Sequence, residues 1–284
     1  MQRAVVERHA LPVNGTACIA PNSCTVESRM DERRVAEYLR RLGRSSPVPP
    51  DCATLSALHE AHLLHVPFEN LDIALGREIV LDLDRLFDKI VVRRRGGFCY
   101  ELNGLFASLL RTLGFDVDLL SARVANDAGE LGPEFDHMAL LVRCEGRRLL
   151  ADVGFGDSFR TPIDLDDPAP QRGGDPLGRA WSVREQGEEL ALVQHEASGS
   201  SRTAYTFTLE PRTRAEYAPM CVWQQSSPES HFTRRRICSR ATPEGRVTLA
   251  DDRFVVTTAA GRRETPVAER ERDALLVREF GIEL

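Results

Sequence analysis

The chain has 284 residues, 42% of them hydrophobic, and a formal net charge of −6 at neutral pH. That composition suffices for a substantial buried core; the acidic balance argues against general nucleic-acid binding, and no apolar run approaches the roughly 18 residues of a membrane-spanning helix. Seven cysteines, at 18, 24, 52, 99, 144, 221 and 238, are odd in number and include no C-x-x-C pair, which suits neither a disulfide framework nor a zinc site and fits a reducing cytoplasm.

Residues 1–30 carry Pro12, Gly15 and Pro21 where a secretory signal would have a continuous apolar stretch, so they read as a loose extension, with Met30 as an alternative start and the Asn14-Gly15-Thr16 sequon as chance. Four helical patterns follow. The first covers 31–43, with Val35, Tyr38, Leu39 and Leu42 at helical spacing behind the cap Asp31. The second runs through Leu55, Leu58, Leu63 and Leu64 to just before Pro67, and the third is marked by Leu83, Leu86, Phe87 and Ile90. The fourth starts at Cys99, with Leu102, Leu105, Phe106, Leu109, Leu110 and Leu113 as its buried stripe and Gly114 as its stop.

Beyond Gly114 the periodicity becomes that of strands, at 115–124, 137–144, 147–153, 181–184, 190–195 and 203–209, an antiparallel sheet or barrel. Further strands are expected near 234–239, 246–249 and 253–258, before a closing amphipathic helix from Val267 to Phe280. Helices, then strands, then a smaller mixed unit make an α+β protein.

The most informative stretch is Arg95-Gly96-Gly97-Phe98-Cys99-Tyr100-Glu101-Leu102-Asn103, which seats a cysteine where paired glycines give way to a helix. Partial positive charge at a helix N-terminus favours a thiolate there, below the free-cysteine value of about 8.5. A base and an orienting group come from the hairpin turning at Glu145-Gly146. If Cys144 opposes Arg147, Ala139 opposes Asp152, and His137 and Asp152 become diagonal neighbours on one face, Cα atoms about 7–8 Å apart. A slip of one residue would send Asp152 to the other face. Both faces of this hairpin are apolar, so Asp152 is a buried carboxylate that needs a partner. His137 is that partner, and its second nitrogen is left for the Cys99 proton.

Each residue alone has an ordinary structural explanation, a cysteine as a small buried hydrophobe and a strand histidine as a structural group; only jointly do they point to a cysteine triad. His59, His62 and His65 recur every third residue without a carboxylate to complete a metal site, and read as boundary residues. The segment Asp152-Val153-Gly154-Phe155-Gly156-Asp157 lacks the ending of a mononucleotide phosphate loop; its glycines instead let backbone approach a ligand closely.

At this point Pro67-Phe68-Glu69-Asn70-Leu71, the Arg95–Asn103 run, His137-Met138 and Asp152-Val153-Gly154-Phe155-Gly156 together resemble the arylamine N-acetyltransferase family. The likeness spans about Asp31 to Leu284, including Ser227-Pro228-Glu229-Ser230-His231-Phe232 near the end. It implies a helical bundle (31–113), a β-barrel (114–211) and an α/β lid (212–284), with a Cys-His-Asp triad on Cys99, His137 and Asp152. By the same resemblance Glu69 and Arg95 form a buried ion pair bracing the loop before Cys99, and Phe68, Phe98, Phe155 and Gly156 contact the acceptor. The implied chemistry is ping-pong transfer of acetyl from the co-substrate acetyl-CoA to an arylamine, arylhydrazine or hydroxyarylamine, a reaction of xenobiotic metabolism, with no metal, nucleic acid or membrane involved; a homo-oligomer is compatible with it. Three rivals stand: an amide synthase of the same fold that closes a polyketide chain onto an arylamine, a papain-like cysteine hydrolase, and a non-catalytic binding module.

Overall fold

In the computed structural model, residues 29–45 and 48–284 are described; the extension up to 28, with Cys18, Cys24 and the sequon, lies outside them. The helical part comprises α1 (Glu32–Arg41), α2 (Cys52–His65), α3 (Leu71–Ala74), α4 (Leu83–Phe87) and α5 (Cys99–Leu113), with a two-residue strand, β1 (Phe68–Glu69), before α3. Asp31 caps α1 by accepting from the Arg34 N–H at 2.7 Å, and Asp51 caps α2 through Thr54 N–H at 2.7 Å. Met30 donates its N–H to Thr112 Oγ1. From Cys99 to Leu110 every residue of α5 is buried, more than the one-sided stripe its sequence displays, because α5 has helices on one flank and strands on the other.

Seven antiparallel strands follow: β2 (Asp116–Val124), β3 (His137–Cys144), β4 (Arg147–Ala151), β5 (Ile163–Asp164), β6 (Ala180–Gln186), β7 (Glu189–His195) and β8 (Ser201–Phe207), in the order β5-β4-β3-β2-β8-β7-β6. The edges β5 and β6 come together without a strand-to-strand ladder. Gln171, in the loop after β5, exchanges both backbone hydrogen bonds with Trp181 of β6 at 2.7 Å, while its side-chain amide bonds to the backbone of Asp164 in β5. The sheet is therefore curled almost into a barrel. One face of the β3–β4 hairpin, with Ala139, Leu141 and Leu150, fills the interior beside Phe159, Trp181, Tyr205 and Phe207. The opposite face, with Met138, Leu140, Val142, Leu149, Ala151 and Val153, packs against the helical core.

The remainder consists of α6 (Ala218–Ser226), α7 (His231–Arg234), β9 (Ile237–Thr242), β10 (Gly245–Ala250), β11 (Arg253–Thr258), β12 (Gly261–Pro266) and α8 (Glu269–Leu275), which continues to Phe280 as a wider π-type turn. Sequence periodicity places a strand at 234–239, but that segment starts as the end of α7 and pairs only from Ile237. It also misses β1, β5 and β12: β1 and β5 have two residues each, too few to show a period, and β12 is exposed along its whole length. The second sheet runs β1-β9-β10-β11-β12, so the segment after Pro67 adds a strand to a sheet made otherwise by the C-terminal part.

Candidate active site

The loop before Cys99 is fixed by close backbone contact. Glu69 N–H donates to the Gly97 carbonyl at 2.9 Å, and Phe68 bridges Gly97 in parallel fashion. A Cβ on Gly96 would lie 1.9 Å from the Pro67 carbonyl oxygen, so only glycine fits there. Around this seam lies a buried ionic cluster. Arg95 reaches Glu69 at 2.8 Å and Asp72 at 3.1 Å, and Lys89, the single lysine of the chain, reaches Asp72 and Glu101 at 2.8 Å each. Glu69 also accepts the Leu71 N–H, and Glu101 accepts the Phe98 N–H at the start of α5. Burial pushes Glu101 up to about 6 against the opposing pull of Lys89. Burial alone would lower Lys89, yet the surrounding Glu101, Glu69 and Asp72 raise it above its ordinary value.

The hairpin has the register in which Cys144 pairs with Arg147 and Leu140 with Ala151. Continued past the end of β4, that register sets Asp152 on the His137 face, and His137 Nε2 lies 2.7 Å from Asp152 Oδ2. Regular pairing ends at Ala151 rather than 153, because the Asp152 N–H turns away to donate to His59 Nε2 at 2.9 Å. The carboxylate is saturated with donors: besides His137 it accepts from Asn103 Nδ2 at 2.9 Å, Tyr205 Oη at 3.1 Å and Gly154 N–H at 3.0 Å. Burial pushes Asp152 up, but His137, Asn103 and the Gly154 N–H outweigh it and hold the group below the usual carboxylate value. With Nε2 engaged, Nδ1 is the imidazole nitrogen left for chemistry.

Cys99 is 3% exposed and His137 3%. The Met138 N–H, next in chain to His137, is directed at the Cys99 sulfur. On the other side Gly154 packs so closely that a Cβ there would sit 2.8 Å from Cys99 Cα. The helix terminus does not by itself offset the burial of this sulfur. Burial pushes the Cys99 thiol well above its ordinary value, the Met138 N–H opposes that only partly, and the carboxylates of Asp136 and Asp152 add to the rise. An anionic sulfur here is stable only with a cation beside it, which a protonated His137 would supply.

Of the aromatic residues, Phe155 stands edge-on to His137 and to Tyr205, each at 5.2 Å between ring centres. Phe68 is half-buried, and Gly156, at φ +92°, faces its ring. Phe98 differs from the expectation of a pocket wall: it is 0% exposed, enclosed by Tyr100 and Phe232, because as the residue preceding α5 it points into the helical core. The histidines of α2 also differ. His59 and His62 are fully buried and His65 is exposed, so they are not one boundary row. His59 Nδ1 donates to the Arg160 carbonyl at 2.6 Å while Nε2 accepts from Asp152; burial holds it neutral, down at about 4. Arg160 in turn reaches the carbonyls of Thr242 and Gly245.

A family model described as N-acetyltransferase matches residues 51–284. The arylamine N-acetyltransferase of Mycolicibacterium smegmatis is 36% identical over 258 residues, 87% of this chain and 91% of that protein. The chain belongs to the arylamine N-acetyltransferase family. The solved arylamine N-acetyltransferase of Salmonella typhimurium superposes with a TM-score of 0.83 at 31% identity, covering 89% of this chain and 92% of the other. The Mycobacterium marinum enzyme, solved in complex with CoA, gives 0.80 at 26% identity over 87% and 92%. In this arylamine N-acetyltransferase, His59, Asn103 and Tyr205 are the site neighbours that sequence reasoning missed. Asn103 had a usable signal, one helical turn beyond Cys99 on the same face. His59 and Tyr205 had none, since they meet Asp152 only across 93 and 53 residues of chain.

Proposed function

We propose that this chain transfers acetyl from acetyl-CoA, through a thioester on Cys99, to an arylamine, arylhydrazine or hydroxyarylamine. The observation that carries the reading is the 2.7 Å contact of His137 Nε2 with a donor-saturated Asp152, which leaves Nδ1 as a base on the strand whose Met138 N–H meets the Cys99 sulfur. Membership of the family supports the reaction class, and the CoA complex of the Mycobacterium marinum relative supports the donor.

In the first half-reaction the Cys99 sulfur attacks the thioester carbonyl as its proton passes to His137 Nδ1. The bond from acetyl carbon to CoA sulfur breaks, and CoA departs with that proton as a thiol. One thioester replaces another, so this step is close to balanced. In the second, the amine nitrogen attacks acetyl-Cys99, His137 removes its surplus proton, and Cys99 leaves and is reprotonated. Asp152 holds the imidazole in the tautomer and orientation both steps need. Phe68 and Phe155 would form the apolar walls against which a flat amine rests, and their exclusion of water would protect the acyl-enzyme. Lys89 is committed to Asp72 and Glu101, so the CoA phosphates would meet arginines, backbone N–H groups or solvent. The reaction belongs in the cytoplasm, where acetyl-CoA is supplied and thiols stay reduced.

The test is intact-protein mass spectrometry after mixing with acetyl-CoA and no amine. One acetyl group on Cys99, discharged by an arylamine, is the expected result. An unmodified mass with Cys99 reduced overturns the scheme, steady release of free acetate without amine assigns a hydrolase, and acylation only by long carrier-bound chains assigns an amide synthase.

A further inference from the structure

The thiols of Cys52 and Cys144 and the carboxylate of Glu145 form a second cluster, at the opposite end of β3 from His137. Their ligand atoms all lie within 4.8 Å of one another, although Cys52 is 92 residues from Cys144 in the chain. We propose that these three side chains form a binding site for a thiophilic divalent cation of the zinc class, with a solvent molecule as fourth ligand.

The chemistry of the donors points to this class. Two sulfurs and one carboxylate oxygen suit Zn²⁺ or Cd²⁺, whereas Mg²⁺ and Ca²⁺ take oxygen ligands. Both thiols now donate to backbone carbonyls, Cys52 Sγ to Cys144 O at 3.4 Å and Cys144 Sγ to Pro50 O at 3.7 Å, so their sulfur lone pairs stay open to a metal. Tetrahedral zinc, with bonds of about 2.3 Å to sulfur, sets two sulfurs about 3.8 Å apart. The required contraction is within reach. Cys52 is the half-buried first residue of α2, and Glu145, exposed at φ +51°, sits at the tip of the β3–β4 turn.

Charge is also provided for. Two thiolates and a carboxylate leave one net negative charge on a bound divalent ion, and the Arg147 guanidinium, hydrogen-bonded to Asp164, also interacts with Cys52. The start of α2 adds its own partial positive charge at the Cys52 sulfur, while burial and the neighbouring Cys144 and Glu145 raise the metal-free thiol, so the cation itself has to displace the thiol protons. A bound ion would clip α2 to the β3–β4 turn, joining the helix that carries His59 to the strand that carries His137. The sequence conceals this site because its two cysteines lie on separate elements, without the short spacing of a zinc motif.

The experiment titrates the full-length, reduced protein with Cd²⁺ and follows the thiolate-to-metal absorption in the ultraviolet, with Zn²⁺ as competitor. One equivalent per chain is expected, with Zn²⁺ abolishing the Cd²⁺ band and raising the melting temperature. Cys52→Ser, at a half-buried position that leaves the core intact, should lose the band, and Glu145→Gln should weaken binding. Cys99→Ser should bind as the parent does. A band unchanged in Cys52→Ser, a band lost in Cys99→Ser, or no saturable binding overturns the proposal.

Discussion

At the level of the single residue, the decisive balance is that of the Cys99 proton. Burial alone drives this thiol upward, and the nearby carboxylates push in the same direction. A thiolate therefore needs a cation beside it, so in the proposed mechanism His137 matters more than the helix terminus. His137→Gln removes the imidazole that bonds the Asp152 carboxylate. In that variant, alkylation of Cys99 by iodoacetamide is expected to become faster only above about pH 9, where an ordinary or raised thiol ionises. Acylation by acetyl-CoA should fall by about 10²–10⁴-fold. An alkylation profile identical to that of the parent would show that His137 does not govern the sulfur. The helix start at Cys99 and the pairing of His137 with Asp152 were legible, because a glycine-preceded helix start and a two-residue turn fix geometry over short stretches of chain. Their supporting partners His59 and Tyr205 were not, because each is a contact between elements distant in sequence.

At the level of the element, β1 joins the two halves of the site. Its two residues pair with Ser239 and Cys238 of β9 on one side and meet Gly97 on the other, so the loop before Cys99 is held against the C-terminal sheet. The ionic cluster behind it has three carboxylates, Glu69, Asp72 and Glu101, against Lys89 and Arg95. Removing a cation from such a group leaves buried charge without a partner. Arg95→Met should therefore cost about 3–5 kcal/mol of unfolding free energy in urea, with acylation of Cys99 impaired as the loop loosens. A loss below about 1 kcal/mol, the size of an exposed pair, would mean that Lys89, with Arg77 beside Asp72, suffices to neutralise Glu69 and Asp72. The Glu69–Arg95 pair entered the sequence reading only through resemblance; Lys89, Asp72 and Glu101 complete it for reasons of space, not of pattern.

For the molecule as a whole, the closure of the seven-stranded sheet depends on one loop residue. Gln171 bonds through its backbone to Trp181 and through its side chain to Asp164. Gln171→Ala should destabilise by about 1–3 kcal/mol, since it leaves the Asp164 N–H without its acceptor, and should speed amide exchange at Trp181. Unchanged exchange there would assign the closure to packing of the Trp181 side chain instead. By itself the sequence determined the helical first part, six of the seven strands of the barrel-like sheet and the hairpin register, because 3.6- and two-residue periodicities and glycine turns are local properties. It also determined the pairing of His137 with Asp152, since register converts a count of residues into a choice of face. Only tertiary structure decided that β1 serves the C-terminal sheet, that Phe98 is enclosed, that His59 holds the Asp152 backbone and that Cys52 meets Cys144. Those depend on which surfaces pack together, and apolar burial, being non-directional, leaves no periodic trace of the partner it selects.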